Sequence, residues 1–298
     1  MHVSTREIIA IIKNMIKGFQ QRNLSGMAQQ TAYNLLFALG PLLISLMALA
    51  GIITRQVNAG QPQPAKPVVT WVNDHLPHEA AAFFQQPLEK ALTTSPTFLL
   101  SIGGIITLWG AKGAMAALMR GLNDAYGVEE DRSWPVVQLV AIGLTLAAGI
   151  LLGAASIIFV LGTSIGNTIA NAIGLGSAWS TFSYWARWPV LAVGLVLIVA
   201  LLHRYAQVYD APFRSFLPGA VFTVVAIVIS AIAMQFYFNH FSSYNELYGA
   251  FGSVLVFIFW LYVIGLVILL GGVLNLAIIK TRAAEEERRK AQTSDPPS

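Results

Sequence analysis

Six apolar runs divide this chain, and their lengths constrain the fold more than any other feature. The first, residues 31–53 (TAYNLLFALGPLLISLMALAGII), has 23 residues. As a helix it extends about 34 Å, enough to cross a hydrocarbon core about 30 Å thick. The second starts near Pro96 and the third covers 134–163. The fourth begins around Arg187-Trp188-Pro189 and ends near His203-Arg204. The fifth runs from Leu217 to about Phe238, and the sixth covers 251–279. A backbone inside a bilayer must satisfy its own amides and carbonyls, and a helix does this within each segment. The expected fold is an all-α polytopic membrane protein with six transmembrane helices, plus amphipathic helices at the N-terminus and in one loop.

Composition agrees. The chain of 298 residues is 56% hydrophobic and 11% charged, where soluble domains carry about 25% charged residues. It has no cysteine, which excludes disulfides, thiolate metal sites and a cysteine nucleophile. The net charge is +4, and the basic residues flank apolar runs. Anionic lipid headgroups, rather than nucleic acid, are the expected partners.

The ends differ from the middle. Residues 4–22 place Ile8, Ile9, Ile12, Met15, Ile16 and Phe19 on one helical face, with Arg6, Lys13, Lys17 and Arg22 over much of the rest. That pattern suits a helix on an anionic membrane surface or one packed on the bundle. No short apolar region ends in a small-residue cleavage site, so a cleaved signal is not expected. The division is 1–30, an amphipathic cytoplasmic segment; 31–279, the six-helix domain; and 280–298, a charged tail that reads as a frayed helix followed by disorder. Between the first two runs, Gln61–Pro67 reads as an extended spacer and 78–92 as a short amphipathic helix.

Charge asymmetry orients the bundle. With six spans, fourteen Lys and Arg fall on the side of the termini, in the N-terminal segment, the 2–3 and 4–5 connections and the tail. Only Arg55, Lys66, Lys90 and Arg187 fall on the other. Both termini are therefore expected in the cytoplasm, and six spans fit better than five or seven. Trp109, Trp134, Trp179, Trp185 and Trp188 lie near span ends, as an interfacial belt requires. Trp260 lies well inside the sixth run and is expected to pack between helices. Spans 1–3 and 4–6 show no convincing inverted repeat.

Several segments together resemble the YihY/BrkB family of bacterial inner-membrane proteins. They are Ala32-Tyr33 with Leu36-Phe37 and Pro41-Leu42-Leu43; Leu108-Trp109, Gly113, Ala114 and Leu118, then Leu122-Asn123 and Tyr126-Gly127-Val128; Leu217-Pro218-Gly219-Ala220; and Tyr237, Phe241, Tyr244, Tyr248-Gly249, Trp260-Leu261-Tyr262 and Gly271 to Asn275. The resemblance covers roughly Ala28 to Ala277. It implies six transmembrane helices in a bacterial inner membrane. Names attached to the family include a ribonuclease label and a virulence factor, and some members are linked to export or handling of envelope lipids. The family usually ends its sixth span with Gly-Ala-Glu-x-Asn; here Val273 replaces the acidic residue.

The polar residues in or near the spans are the candidate site residues, and each has a plain structural reading beside the functional one. Lys112 snorkels to the interface or binds an anion in a cavity. Arg120 pairs with Asp124 four residues on, beside Asn123, or contacts a lipid phosphate. Tyr33 and Asn34 anchor the first span through an interhelical hydrogen bond, or line a cavity mouth beneath a kink at Pro41. Arg187 and Arg204 bracket the fourth span; Arg187 anchors it or holds an outer headgroup. The stretch Tyr237–Ser253 reads as an anchored outer turn, with Tyr244 and Glu246 a possible substrate rim. Asn275 is expected to hydrogen-bond between helices. Asp74, His75, His78 and Glu79 follow no ligand pattern, so neither a metal nor a cofactor is expected. His203 stands apart from any partner, and the carboxylates lie in termini and loops. Nuclease chemistry needs clustered carboxylates or a histidine acid–base pair. The function expected is transport or handling of a lipid or amphipathic anion, with a scaffold role as the alternative and no enzymatic activity.

Overall fold

The computed structural model describes the backbone of Lys13 and of residues 22–39, 96–151, 176–240 and 244–294. It describes the side chains of Lys13, 22–39, 101–151, 189, 191–237, 255–287 and Lys290. The described residues are helical, with no strand among them. The helices are α1 (24–39), α2 (Pro96–Tyr126), α3 (134–151), α4 (Gly176–Tyr205), α5 (Leu217–His240) and α6 (Tyr244–Ser294); a 3-10 turn, Phe213–Phe216, leads into α5. Among the described residues, four stretches are long and apolar enough to cross a membrane: Ser101–Tyr126, Trp134–Leu151, Phe213–Tyr237 and Leu255–Glu287. A shorter apolar stretch, Leu191–Tyr205, lies in α4. Most of the first expected span, including Pro41, lies outside the described residues. So do the N-terminal amphipathic segment apart from Lys13 and Arg22, the 54–95 connection, and Asp74, His75, His78 and Glu79.

Local signals account for the helix ends. Asn23 sits just before α1 with its side chain folded over Gly26, the third helical residue, where an N-cap amide belongs. Pro96 opens α2, where a missing amide costs nothing. α2 stops at Gly127, whose φ of 65° suits glycine. The amide of Gly127 bonds the Asp124 carbonyl and that of Val128 the Asn123 carbonyl, the paired bonds of a Schellman motif. Thr107 and Thr145 turn their hydroxyls back to the carbonyls of Gly103 and Ala141, both at 2.7 Å, so neither is left unbonded in an apolar medium.

Two expectations change. α4 starts at Gly176, not near Arg187, and carries Pro189 inside it. The apolar run marks where the chain becomes greasy, not where its helix nucleates. The stretch Tyr237–Ser253 is mostly helix rather than an outer turn. α5 holds its last turn to His240, and Tyr244 and Glu246 lie in the first turn of α6. α6 runs on into the tail, where a helix was expected to begin, and reaches Ser294, 51 residues in all. That is about 77 Å, far more than a bilayer needs. Ala, Glu, Arg and Lys between 283 and 291 are all good helix formers.

The chain divides into two compact units. One comprises Met1–Met27, Leu118–Val228 and Leu266–Ser298; the other comprises Ala28–Ala117 and Ile229–Gly265. In the second unit α1 packs through small residues. A Cβ on Gly110 would lie 3.0 Å from that of Ala38, and Gly265 lies against Ala28 and Thr31. Trp260 donates to the Ser230 hydroxyl of α5 at 3.3 Å, so it packs between helices as expected.

In the first unit α5 and α6 cross at backbone contact. A Cβ on Gly219 would stand 2.1 Å from the Gly271 carbonyl oxygen, and one on Gly271 would stand 2.2 Å from the Thr223 hydroxyl. Beside the crossing, Val199 and Ala200 of α4 pack on Ala220 and Val224 of α5. Lipid tails are as apolar as leucine, so close packing of small residues replaces the hydrophobic drive between such helices. Gly219→Ala or Gly271→Ala is expected to destabilise the protein by about 3 kcal/mol or more, the upper end for overpacking. Gly143→Ala, where a Cβ meets nothing within 4 Å among the described residues, is expected to be neutral or stabilising by under about 1 kcal/mol. Thermal unfolding midpoints in detergent check both.

Candidate functional site

The crossing of α5 and α6 carries a buried polar cluster. Asn275 of α6 is fully buried, and both ends of its amide are used. Its Oδ1 accepts from the Gly219 amide at 2.7 Å, in the first turn of α5. Its Nδ2 donates to the Phe216 carbonyl at 3.1 Å. The same Nδ2 lies 3.2 Å from Nδ1 of His203, which is also fully buried, on α4. An amide nitrogen only donates, so Nδ1 must accept and the ring proton must sit on Nε2. Nε2 lies 3.0 Å from the Ile268 carbonyl of α6, the acceptor that this tautomer requires. Thr223 adds a longer bond, 3.4 Å, to the Val267 carbonyl. One neutral imidazole and one amide thus tie α4, the 3-10 turn, α5 and α6 together.

α5 and α6 offer their residues four apart, Gly219 and Thr223, Gly271 and Asn275, while Gln207 follows His203 by four just past the end of α4. Within a helix that spacing puts both members of a pair on one face. Gln207 donates to the His203 carbonyl at 3.0 Å, and its Oε1 accepts from the Tyr209 amide. Tyr126 closes the cluster from α2. Its ring meets Tyr209 at 5.5 Å and Phe216 at 6.0 Å. Its hydroxyl is buried beside Asn275 but makes no hydrogen bond of normal geometry among the described residues.

A second network lies where α2 and α4 end. Asn123 accepts from the Val208 amide at 3.0 Å and donates to Glu130 at 2.9 Å. Arg132 grips both oxygens of Glu130, at 2.6 and 2.7 Å, and reaches the carbonyls of Ala206 (3.1 Å) and Tyr205 (3.4 Å). Those carbonyls end α4, where helix geometry leaves acceptors unpaired and a cation is favoured. Arg22 does the same for α2 by bonding the Ala125 carbonyl, and it is attracted by Asp124. The hydrogen bond from Arg132 holds the Glu130 carboxyl below its usual range, against a smaller opposing effect of burial.

Among the other candidate residues, Arg204 lies against the cluster, its guanidinium 6.0 Å from the centroid of the Phe216 ring. Tyr33 is exposed and stacks at 4.6 Å on Phe37; the Asn34 amide bonds the Gln30 carbonyl at 2.9 Å, within α1 rather than between helices. Asn34 also lies against Gly113 of α2, 2.9 Å from where a Cβ would stand. The Lys112 ammonium lies 4.5 Å from the ring centroid of Trp109, which is 72% exposed. Arg120 is exposed, and Arg204 pairs with Asp210 at 3.2 Å. Arg187, Tyr244 and Glu246 sit on described backbone only. Asn275 makes the interhelical bonds expected of it. His203 does not stand apart as expected, because its partner is 72 residues away in sequence. The four-residue spacings above were the available signal.

The model of the BrkB virulence-factor family matches residues 15–296. The chain belongs to the BrkB family. A Bacillus subtilis (strain 168) relative named "ribonuclease-like protein YfkH" is 28% identical over 281 residues, covering 94% of this chain and 98% of that protein. A UPF0761 membrane protein of Chromobacterium violaceum is 37% identical over 82 residues, 28% of this chain and 20% of that protein. Another, NMB0524 of Neisseria meningitidis serogroup B, is 21% identical over 276 residues, 93% of this chain and 65% of that protein. The chain therefore spans less than two thirds of these UPF0761 proteins. No solved structure matches it.

The BrkB resemblance rested partly on Leu217-Pro218-Gly219-Ala220 and on Gly271 to Asn275, and these are the segments that meet at the crossing. Val273, in the second of these segments, is buried, at 2% exposure.

The Glu130 link has a defined acid sensitivity. A carboxyl with a lowered pKa in the folded state contributes its stability above the unfolded value. It loses that contribution as pH falls from about 4.3, the ordinary glutamate value, through the folded one. Hydrogen exchange at the Val208 and Arg132 amides is expected to rise on acidification through that window, after correction for intrinsic rates. In Glu130→Gln it is expected to be raised already at neutral pH and flat across the window.

Proposed function

We propose that this BrkB-family membrane protein transports or handles a lipid or amphipathic anion at the bacterial inner membrane, with both termini in the cytoplasm. The observation that carries this reading is the Lys112 ammonium over the exposed Trp109 ring. Tryptophan favours headgroup depth in a bilayer, and a cation is favoured over its face. Together they present positive charge where a headgroup phosphate can reach it. Arg120 is exposed on the same helix, about 12 Å further along. The distribution of lysines and arginines supports the orientation.

The ribonuclease-like name belongs to the Bacillus relative, and we do not propose that activity here. RNA cleavage needs an accessible acid–base pair or clustered metal-binding carboxylates. His203 is sealed from solvent, and Glu130 is engaged by Arg132 and Asn123.

Translocation of anionic and zwitterionic lipids in proteoliposomes tests the reading. Lys112→Ala and Arg120→Ala are each expected to slow anionic-lipid movement about fivefold, equivalent to about 1 kcal/mol per basic residue near an anionic surface. Thermal stability is expected to stay within about 0.5 kcal/mol, as for most surface substitutions. No translocation across the whole panel would overturn transport and move the protein to a scaffold role.

A further inference from the structure

The polar cluster accepts only one protonation state of its histidine. Asn275 Nδ2 faces His203 Nδ1 at 3.2 Å as a donor, so Nδ1 has room for a lone pair and none for a proton. A proton from the aqueous phase adding to Nδ1 would set donor against donor. The amide could meet it only by turning over, with Oδ1 toward the imidazolium. Nδ2 would then face the Gly219 amide, another donor, and Oδ1 would leave its bond from that amide. The Phe216 carbonyl would lose its donor as well. No arrangement of this amide satisfies a protonated His203, Gly219 and Phe216 together.

The neighbours give no relief while the crossing stays closed. α5 from Leu217 to Val228 and α6 from Leu266 to Ile279 contain no charged residue. On α4, Arg204 pairs with Asp210, and its guanidinium, 6.0 Å from the centroid of the Phe216 ring, is a cation that offers an imidazolium no acceptor; on α2, Asp124 faces Arg22; in the connection, Glu130 is held by Arg132. Arg214, on the 3-10 turn, is exposed. Among the described residues, Tyr126 and Tyr209 flank the cluster. The Tyr126 hydroxyl, beside Asn275 and without a bond of normal geometry, is a spare donor and acceptor that a turned amide could use.

We infer that His203, Asn275 and the Gly219–Gly271 crossing form a proton-operated latch: neutral His203 locks α5 against α6, and protonation releases them. The inference does not depend on the cargo. A state in which α5 moves away from α6 lets water or the Tyr126 hydroxyl satisfy the displaced groups, and only that state accommodates the second proton. Acid therefore favours the released state by linkage, and neutral pH favours the locked one.

The chain has no cysteine, so paired spin labels can be placed at Val221→Cys on α5 and Lys280→Cys on α6, both exposed. Distance distributions are compared at about pH 8 and about pH 5, the range across which a histidine changes charge. Glu130 titrates below this range and does not contribute. The wild-type background is expected to gain a second, longer-distance population at the lower pH. His203→Gln is expected to lose that response. Asn275→Asp offers the imidazolium a carboxylate, and is expected to hold the locked distance under acid. A wild-type distribution unchanged between the two pH values overturns the latch, as does a shift that persists in His203→Gln. Should His203→Gln fail to fold, Asn275→Asp decides: the wild-type shift appearing there undiminished also overturns it.

Discussion

A single side-chain amide, that of Asn275, holds the crossing on which the first unit depends. Inside a bilayer an unbonded amide or carbonyl has no water to turn to. The Gly219 amide and the Phe216 carbonyl lie where the 3-10 turn becomes α5, and the two ends of one asparagine satisfy both. This works only because Gly219 and Gly271 bring the backbones into contact. The glycines and the amide are therefore one device. The glycines shorten the distance, and the amide makes the shortened distance favourable. His203 fixes which way round the amide sits, because its tautomer is set from the far side by Ile268.

The basic residues serve two ends at once. Arg22 and Arg132 contribute to the asymmetry from which topology is inferred, yet each spends its guanidinium on the carbonyl end of a helix, α2 and α4 respectively. A helix ending near the interface exposes acceptors and a partial negative charge. An arginine there is favoured twice, by the end of the helix and by the charge of the adjacent membrane surface.

Much of this was legible in the apolar runs and in single residues. Length and hydropathy indicate an all-helical membrane fold, Asn275 is recognisable as an interhelical bond, and Trp260 as a packed residue. What failed has a common cause. Periodicity tells which residues share a face but not which helix that face meets, so His203 looked solitary although Asn275 lies against it. Polarity between two greasy runs looked like a turn over Tyr237–Ser253, but Tyr, Asn, Glu and Ser are all tolerated in helical turns near an interface. Pro189 looked like a helix start because proline favours that place, yet in lipid an interior proline is tolerated when neighbouring groups satisfy the freed carbonyl.

The distribution of charge ties the fold to the proposed activity. An ion pair at the crossing would have to recover the desolvation of two charges in a low-dielectric medium, and such pairs often fail to do so. Neutral amide and imidazole groups avoid that cost while still demanding one register, since each donor has one acceptor in reach. The first unit therefore keeps its interior neutral and its cations at helix ends or on exposed faces. Arg120 belongs to that outer set and sits on α2, whose Tyr126 end abuts the neutral lock. A cation placed at the crossing would compete with the bonds that hold it. An exposed cation such as Arg120 leaves those bonds undisturbed.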